Sequence, residues 1–169
     1  DFCLSRGLGD VYKRQGLSDA VFEEIHSEIT VTDGVEELID SVHRSGGLVG
    51  AISGGFSQIL EPLAIRLGLD FYLANELEIS QGILTGKILG EIVDGSAKAN
   101  YLLKWAMEHG VDAPGTVAVG DGANDIPMLQ AAGFAVAFRP KQILRQYADV
   151  VIEGNSLTPL IELLELRSS

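Results

Sequence analysis

Val117-Ala118-Val119-Gly120-Asp121-Gly122-Ala123-Asn124-Asp125-Ile126-Pro127-Met128-Leu129 is the stretch on which the reading of the fold turns. Its opening run, from Thr116 to Val119, reads as a short buried strand. Gly120-Asp121-Gly122 stops that strand, and a helix is expected to begin within the next few residues. Asp121, Asn124 and Asp125 are thereby packed into five positions at the end of a strand, which is where open α/β sheets bind ligands. Acidic oxygens there suit a hard cation such as Mg²⁺, which takes few protein carboxylates and keeps room for substrate phosphate. A purely structural reading fits the same residues: Gly-Asp-Gly as a tight turn, with Asn124 or Asp125 capping the helix.

The flanking chain repeats the strand–turn–helix pattern. On the C-terminal side come a strand over 134–138, a helix over 141–147, a strand at Val150-Val151 and a helix over 157–166. On the N-terminal side, Leu48-Val49-Gly50-Ala51-Ile52 reads as a buried strand closing at Ser53-Gly54-Gly55. A helix over 57–67 follows, with Gly68 as its C-cap. Ser96 is expected to cap a helix running through Leu102, Leu103, Trp105 and Ala106 to His109, stopped by Gly110. Such alternation predicts an α/β fold with a Rossmann-like parallel sheet and helices on both faces.

Three segments stand apart. Phe71 to Ala74 reads as a further strand, and Leu77-Glu78-Ile79 and Ile83-Leu84-Thr85 flank Gln81-Gly82 as a hairpin. Its polar positions place the hairpin on the surface. Further back, Ser18 is the expected N-cap of a helix carrying Val21, Phe22, Ile25 and Ile29, and Asp33 that of a helix carrying Val35, Leu38, Ile39 and Val42. Residues 1–15 show no sustained period and hold Arg6, Lys13 and Arg14, three of the twelve basic residues. They read as adapter read-through, a cloning scar or a disordered terminus.

Charge and composition narrow the function. Twelve basic against 24 acidic residues leave a net charge of −12, which argues against a nucleic-acid partner. An anionic substrate would then need a cation or a helix N-terminus to supply local positive field. Nothing approaches the roughly 18 apolar residues of a membrane span. A single cysteine, Cys3, excludes an internal disulfide and fits a reducing cytoplasm.

Two more polar sites accompany the central one. Ser53-Gly54-Gly55 can offer a hydroxyl and consecutive backbone N–H groups as a phosphate cradle, or can serve as a tight turn with a helix cap. Lys98 falls in the first turn of its helix, where the macrodipole disfavours a cation. That placement becomes intelligible if Lys98 pairs with a phosphate and a carboxylate.

Ser53, then Lys98, then Gly-Asp-Gly-x-x-Asp on separate strand–helix units resembles the haloacid dehalogenase superfamily, and within it the phosphoserine phosphatases. The resembling segments include Ile52-Ser53-Gly54-Gly55-Phe56, Ala74-Asn75-Glu76-Leu77-Glu78-Ile79, Leu84-Thr85-Gly86, Ala97-Lys98-Ala99, residues 119–129 and Ala135-Val136-Ala137-Phe138. The likeness covers about residues 16–165. It implies a Rossmann-like core with a small helical cap, of which 16–33 is a remnant and 34–166 the core. It also implies that Ser53 and the Gly54 amide bind the transferring phosphate. Lys98 would neutralise that phosphate and hold the nucleophile. Asp121 would ligate Mg²⁺, Asn124 would contact the phosphate, and Asp125 would orient Lys98 or the metal's water shell. The implied reaction is hydrolysis of O-phosphoserine through an aspartyl-phosphate, the last step of serine biosynthesis.

One departure is decisive. The family's Asp-x-Asp-x-Thr motif is absent, and no Asp-x-Asp occurs in the 169 residues. The expectation is therefore a fragment lacking the nucleophile strand and most of the cap, inactive by itself. Rival readings are another small-molecule phosphatase or phosphotransferase of the superfamily, and a non-catalytic phosphate- or Mg²⁺-binding module. A Rossmann dinucleotide binder is disfavoured, because no Gly-x-Gly-x-x-Gly follows a strand.

Overall fold

The computed structural model describes residues 16–168, which fall into two compact units: residues 16–31 with 46–93, and residues 32–45 with 94–168. The expectation for residues 1–15 lies outside the described residues. In chain order the elements are α1 (Val21–Glu28), α2 (Val35–Arg44), β1 (Gly50–Phe56), α3 (Ser57–Leu67), β2 (Phe71–Ser80) and β3 (Ile83–Leu89). They continue with α4 (Gly95–Glu108), β4 (Val117–Gly120), α5 (Ile126–Ala131), β5 (Phe134–Phe138), β6 (Val150–Ile152) and α6 (Thr158–Ser168). Strand and helix alternate as expected for an α/β chain, but the strands form two three-stranded sheets, ordered β1-β2-β3 and β4-β5-β6.

In the first unit, β1 and β2 run parallel, with Gly50 opposite Phe71 and Ile52 opposite Leu73. The far end of β2 then pairs antiparallel with β3, Leu77 opposite Ile88 and Ser80 opposite Ile83. This corrects the sequence reading, which separated a strand at 71–74 from a surface hairpin. One ten-residue strand serves both sheet partners. Gln81 and Gly82 turn the chain with φ of 51° and 74°, the left-handed pair that a two-residue hairpin loop requires. Side chains on a strand alternate between faces, so the polar residues that suggested a surface hairpin occupy only one of its faces. On the other, Leu77 and Leu84 are 2% and 1% exposed and join Phe22, Phe56 and Ile59 in one core, with Val21, Ile25 and Ile29 of α1 and its flank packed against it.

In the second unit, β4, β5 and β6 are all parallel, with Val117 opposite Phe134 and Val136 opposite Val150. The middle strand is buried almost throughout, as its unbroken apolar run Phe134 to Phe138 requires of a strand covered on both faces. Phe134, Val136, Ile152 and Leu160 form the core, with Leu38 of α2 and Leu157, Leu163 and Leu164 packed against it.

In α1, α2 and the segment after β5 the helices differ from expectation. Ala20, not Ser18, precedes the first turn of α1, although the Ser18 hydroxyl does accept the Ala20 N–H at 3.3 Å. Asp33 does not cap α2; Gly34 stands there with φ of 83°. A Cβ on Gly34 would lie 2.6 Å from the Thr158 nitrogen, and the Asp33 carbonyl instead accepts the Leu157 N–H at 2.8 Å. The expected helix at 141–147 is a 3-10 segment, Gln142–Tyr147, the form that short connectors take. Among the described residues no helix is long and apolar enough to cross a membrane.

Candidate active site

The loop after β4 is shaped around one carboxylate. Asp125 ends a 3-10 turn, Ala123–Asp125, and stands at the N-cap position of α5. Its side chain makes no cap bond to that helix. It turns back toward the strand instead, where Oδ2 accepts the backbone N–H groups of Asp121 at 3.0 Å and Gly122 at 3.2 Å. The capping alternative for Asp125 is thus replaced by a tie within the loop. Gly120 makes this possible: a Cβ there would lie 2.5 Å from the Asp125 Cβ.

The other carboxylate oxygen holds Lys98. Nζ of Lys98 donates to Asp125 Oδ1 at 2.6 Å, and both side chains are under a tenth exposed. Lys98 reaches this position from the start of α4, a helix capped by Asp94 rather than Ser96, with Asp94 Oδ1 accepting the Ala97 N–H at 2.8 Å. Asp94 is the better cap because its carboxylate sits one residue before the first helical position and reaches the third. A buried ammonium at the positive end of a helix is costly unless paired; Asp125 supplies the pair. Sequence spacing missed both Asp94 and the role of Gly120. The Asp-x-x-Ala register before the α4 periodicity was the available signal for the first; the second depends on packing.

Asp121 and Asn124 complete this part of the site. Asp121 is exposed, and its carboxylate is not taken up by a hydrogen bond or ion pair with any described residue. Its backbone is held at both ends: the N–H by Asp125 and the carbonyl by the Lys141 N–H at 2.9 Å. Asn124 is half-buried; a Cβ on Gly95 would lie 2.8 Å from its carbonyl oxygen. An accessible carboxylate on a fixed backbone fits one position in the oxygen shell of Mg²⁺, whereas both Asp125 oxygens are already engaged. Among the described residues no three His, Cys, Asp or Glu side chains cluster as a metal cage.

Ser53 and Gly54 belong to the first unit. The strand expected to close at Ser53 runs on to Phe56, but its pairing breaks: Ile52 faces Leu73, and the next paired residue, Phe56, faces Asn75. Ser53, Gly54 and Gly55 therefore bulge from the ladder opposite a single β2 residue, Ala74. The Ser53 hydroxyl accepts the Gly55 N–H at 3.0 Å. The helix begins only at Ser57, so the three residues form a strand bulge rather than a helix-entry turn.

A haloacid dehalogenase-like hydrolase family profile matches residues 8–130. The phosphoserine phosphatase of Streptococcus thermophilus is 42% identical over 151 residues, spanning 89% of this chain and 70% of that protein. The chain belongs to the phosphoserine phosphatase family of haloacid dehalogenase-like hydrolases. Within that family, the Streptomyces coelicolor phosphoserine phosphatase is 44% identical over 88% of this chain, which spans 36% of that longer protein. A crystal structure of phosphoserine phosphatase in apo form is similar with a TM-score of 0.88 and 38% identity, covering 92% of this chain and 78% of that one. A substrate-bound phosphoserine phosphatase complex matches with the same TM-score and identity, covering 92% and 74%. The resemblance drawn from the motifs is thereby borne out, together with the α/β class and the hydrolase assignment.

Proposed function

We propose that the chain carries the phosphate-handling residues of a phosphomonoesterase that converts O-phosphoserine to serine and inorganic phosphate. The buried Lys98–Asp125 pair at the end of β4 is the observation that carries this reading. An ammonium has three donors, and one is spent on Asp125. Two remain for an incoming phosphate oxygen and the carboxylate that attacks it.

The roles divide by chemistry. In phosphoryl transfer, negative charge spreads over the equatorial oxygens and catalysis is mainly positioning and charge stabilisation. Lys98 supplies fixed positive charge, and Asp125 keeps it in place. The Asn124 amide, the Ser53 hydroxyl and the Gly54 N–H donate to the remaining phosphate oxygens. Asp121 is one ligand of Mg²⁺, which, when bound, supplies Lewis-acid charge to the phosphoryl group. The nucleophile is a different matter. A structure similar to this chain is described as a phospho-aspartyl intermediate analogue of phosphoserine phosphatase, with a TM-score of 0.88 and 38% identity. The 169 residues hold no Asp-x-Asp pair to serve that step, so by themselves they do not turn substrate over.

On this reading α1 is what remains of a helical cap, with 34–166 as the catalytic core. The substrate is a small phosphate ester handled in the cytoplasm, in keeping with one cysteine and a charge of −12 that disfavours nucleic acid.

The test is phosphate release from O-phosphoserine by the chain extended at its N-terminus with an apolar strand bearing Asp-x-Asp-x-Thr and a cap. Mg²⁺-dependent turnover, preferring phosphoserine to other phosphomonoesters, is the expected result. Equal activity on unrelated esters would move the protein to another phosphatase branch. Mg²⁺-dependent stabilisation without turnover would favour a binding module.

A further inference from the structure

Asn75 is a polar side chain in an apolar setting, 4% exposed between Leu73 and the core residue Leu77 of β2. A buried amide must spend its donors and acceptors on protein partners. Nδ2 donates to the Gly54 carbonyl at 2.9 Å, and Oδ1 accepts the Val93 N–H at 2.8 Å. Its own carbonyl accepts the Ser57 hydroxyl at 3.0 Å.

These bonds fall where the sheet ladder fails. The bulge takes residues 53–55 out of register with β2, which would leave the Gly54 carbonyl without its strand partner. Asn75 replaces that partner with a side chain. The Ser53 hydroxyl does the same for the Gly55 N–H. The orientation of the 54–55 peptide is thus set by two side chains, Asn75 at its carbonyl and Ser53 at its N–H, rather than by the ladder.

We propose that Asn75 is a positioning residue that sets the shape of the Ser53-Gly54-Gly55 bulge for phosphate binding. This rests on the assignment of Ser53 and Gly54 to the phosphate. With its carbonyl held by Asn75, the 54–55 peptide keeps its Gly55 N–H on the Ser53 oxygen, which fixes that hydroxyl in place and leaves its own proton to donate to the anion. Asn75 does not touch the phosphate.

Gln58 provides an internal control. It too is a half-buried amide bracketing one residue of β2, donating to the Leu77 carbonyl at 2.8 Å and accepting the Leu77 N–H at 3.3 Å. Among the described residues its amide bonds the Leu77 backbone and not the bulge, so its loss should cost stability alone.

The experiment titrates the 169-residue chain and its Asn75→Ala, Asn75→Ser and Gln58→Ala variants with inorganic phosphate by calorimetry, alongside urea unfolding of each. Losing a buried hydrogen bond that orients a binding group should weaken phosphate by about ten-fold in Asn75→Ala, with a smaller loss in Asn75→Ser. Gln58→Ala should unfold at lower urea yet bind phosphate like the parent. Parent-like affinity in a folded Asn75→Ala would overturn the proposal, as would an equal loss in Gln58→Ala. If Asn75→Ala does not fold, Asn75→Ser is judged by the same criterion. A parent chain that binds no phosphate would instead sink the assignment of Ser53 and Gly54, and this inference with it.

Discussion

Nζ of Lys98 lies 2.6 Å from Oδ1 of Asp125, and the two side chains are 8% and 7% exposed. The pair is asymmetric. Asp125 has two further partners in the N–H groups of Asp121 and Gly122, so its charge remains solvated by the backbone if Lys98 is removed. Among the described residues no second anion is bonded to the Lys98 ammonium.

That asymmetry orders two substitutions. Asp125→Ala strands a buried cation and two amides, and should cost about 3–5 kcal/mol. Lys98→Met leaves the carboxylate on its two amides and should cost clearly less. Urea unfolding of both, with the double variant closing the cycle, checks the order. A larger loss for Lys98→Met would show that the backbone amides do not hold Asp125 as described.

Gly120→Ala tests the close approach beneath the pair. The added Cβ would overlap Asp125, whose Cβ lies 2.5 Å from that position, and either the strand end or the carboxylate must shift. Thermal melting should reveal a loss of about 1–3 kcal/mol, in the range of overpacked interiors. Gly154→Ala, which meets nothing within 4 Å, should be near neutral by comparison.

The hairpin's place in the core gives a third expectation. Leu84 is 1% exposed and Ile79 is 37% exposed, although both lie on the same pair of strands. Leu84→Ala should cost about 2–5 kcal/mol by leaving a cavity against Phe22 and Leu77. Ile79→Ala should cost well under that. Similar losses for the two would return the hairpin to the surface.

Tyr72 offers a pH-dependent readout. Its hydroxyl donates to Glu61 Oε1 at 2.6 Å, and this hydrogen bond to a carboxylate holds the phenol pKa above its ordinary 10.0. A raised folded-state value means that the bond stabilises the fold below the ordinary phenol pKa and that this contribution disappears as pH rises through the raised one. Glu61→Gln should bring tyrosinate absorbance of one residue to lower pH in a spectrophotometric titration. An unchanged titration would mean that the bond does not persist in solution.

How much of this was legible beforehand depends on range. The strand–helix alternation, the apolar β5, the left-handed helix ends at Gly68 and Gly110, and the grouping of Asp121, Asn124 and Asp125 are local properties. They follow from periodicity, glycine's tolerance of positive φ and short spacing, so the residues alone determined them. The motif combination likewise carried the family, because each piece lies on its own strand–helix unit in a fixed order.

Tertiary structure decided what depends on residues far apart in the chain. Lys98 and Asp125 are 27 positions apart, and only packing of α4 near the β4 loop turns a misplaced helix-start lysine into a buried pair. Gly34 takes the cap position from Asp33 because α6 arrives from more than a hundred residues away. The hairpin enters the core because α1 covers one of its faces. Asn75 becomes the partner of Gly54 because a two-residue slip in the β1–β2 register removes the backbone one. A one-dimensional pattern encodes which face of an element is apolar; which partner meets that face, and which polar group must replace a lost hydrogen bond, is set when the elements pack.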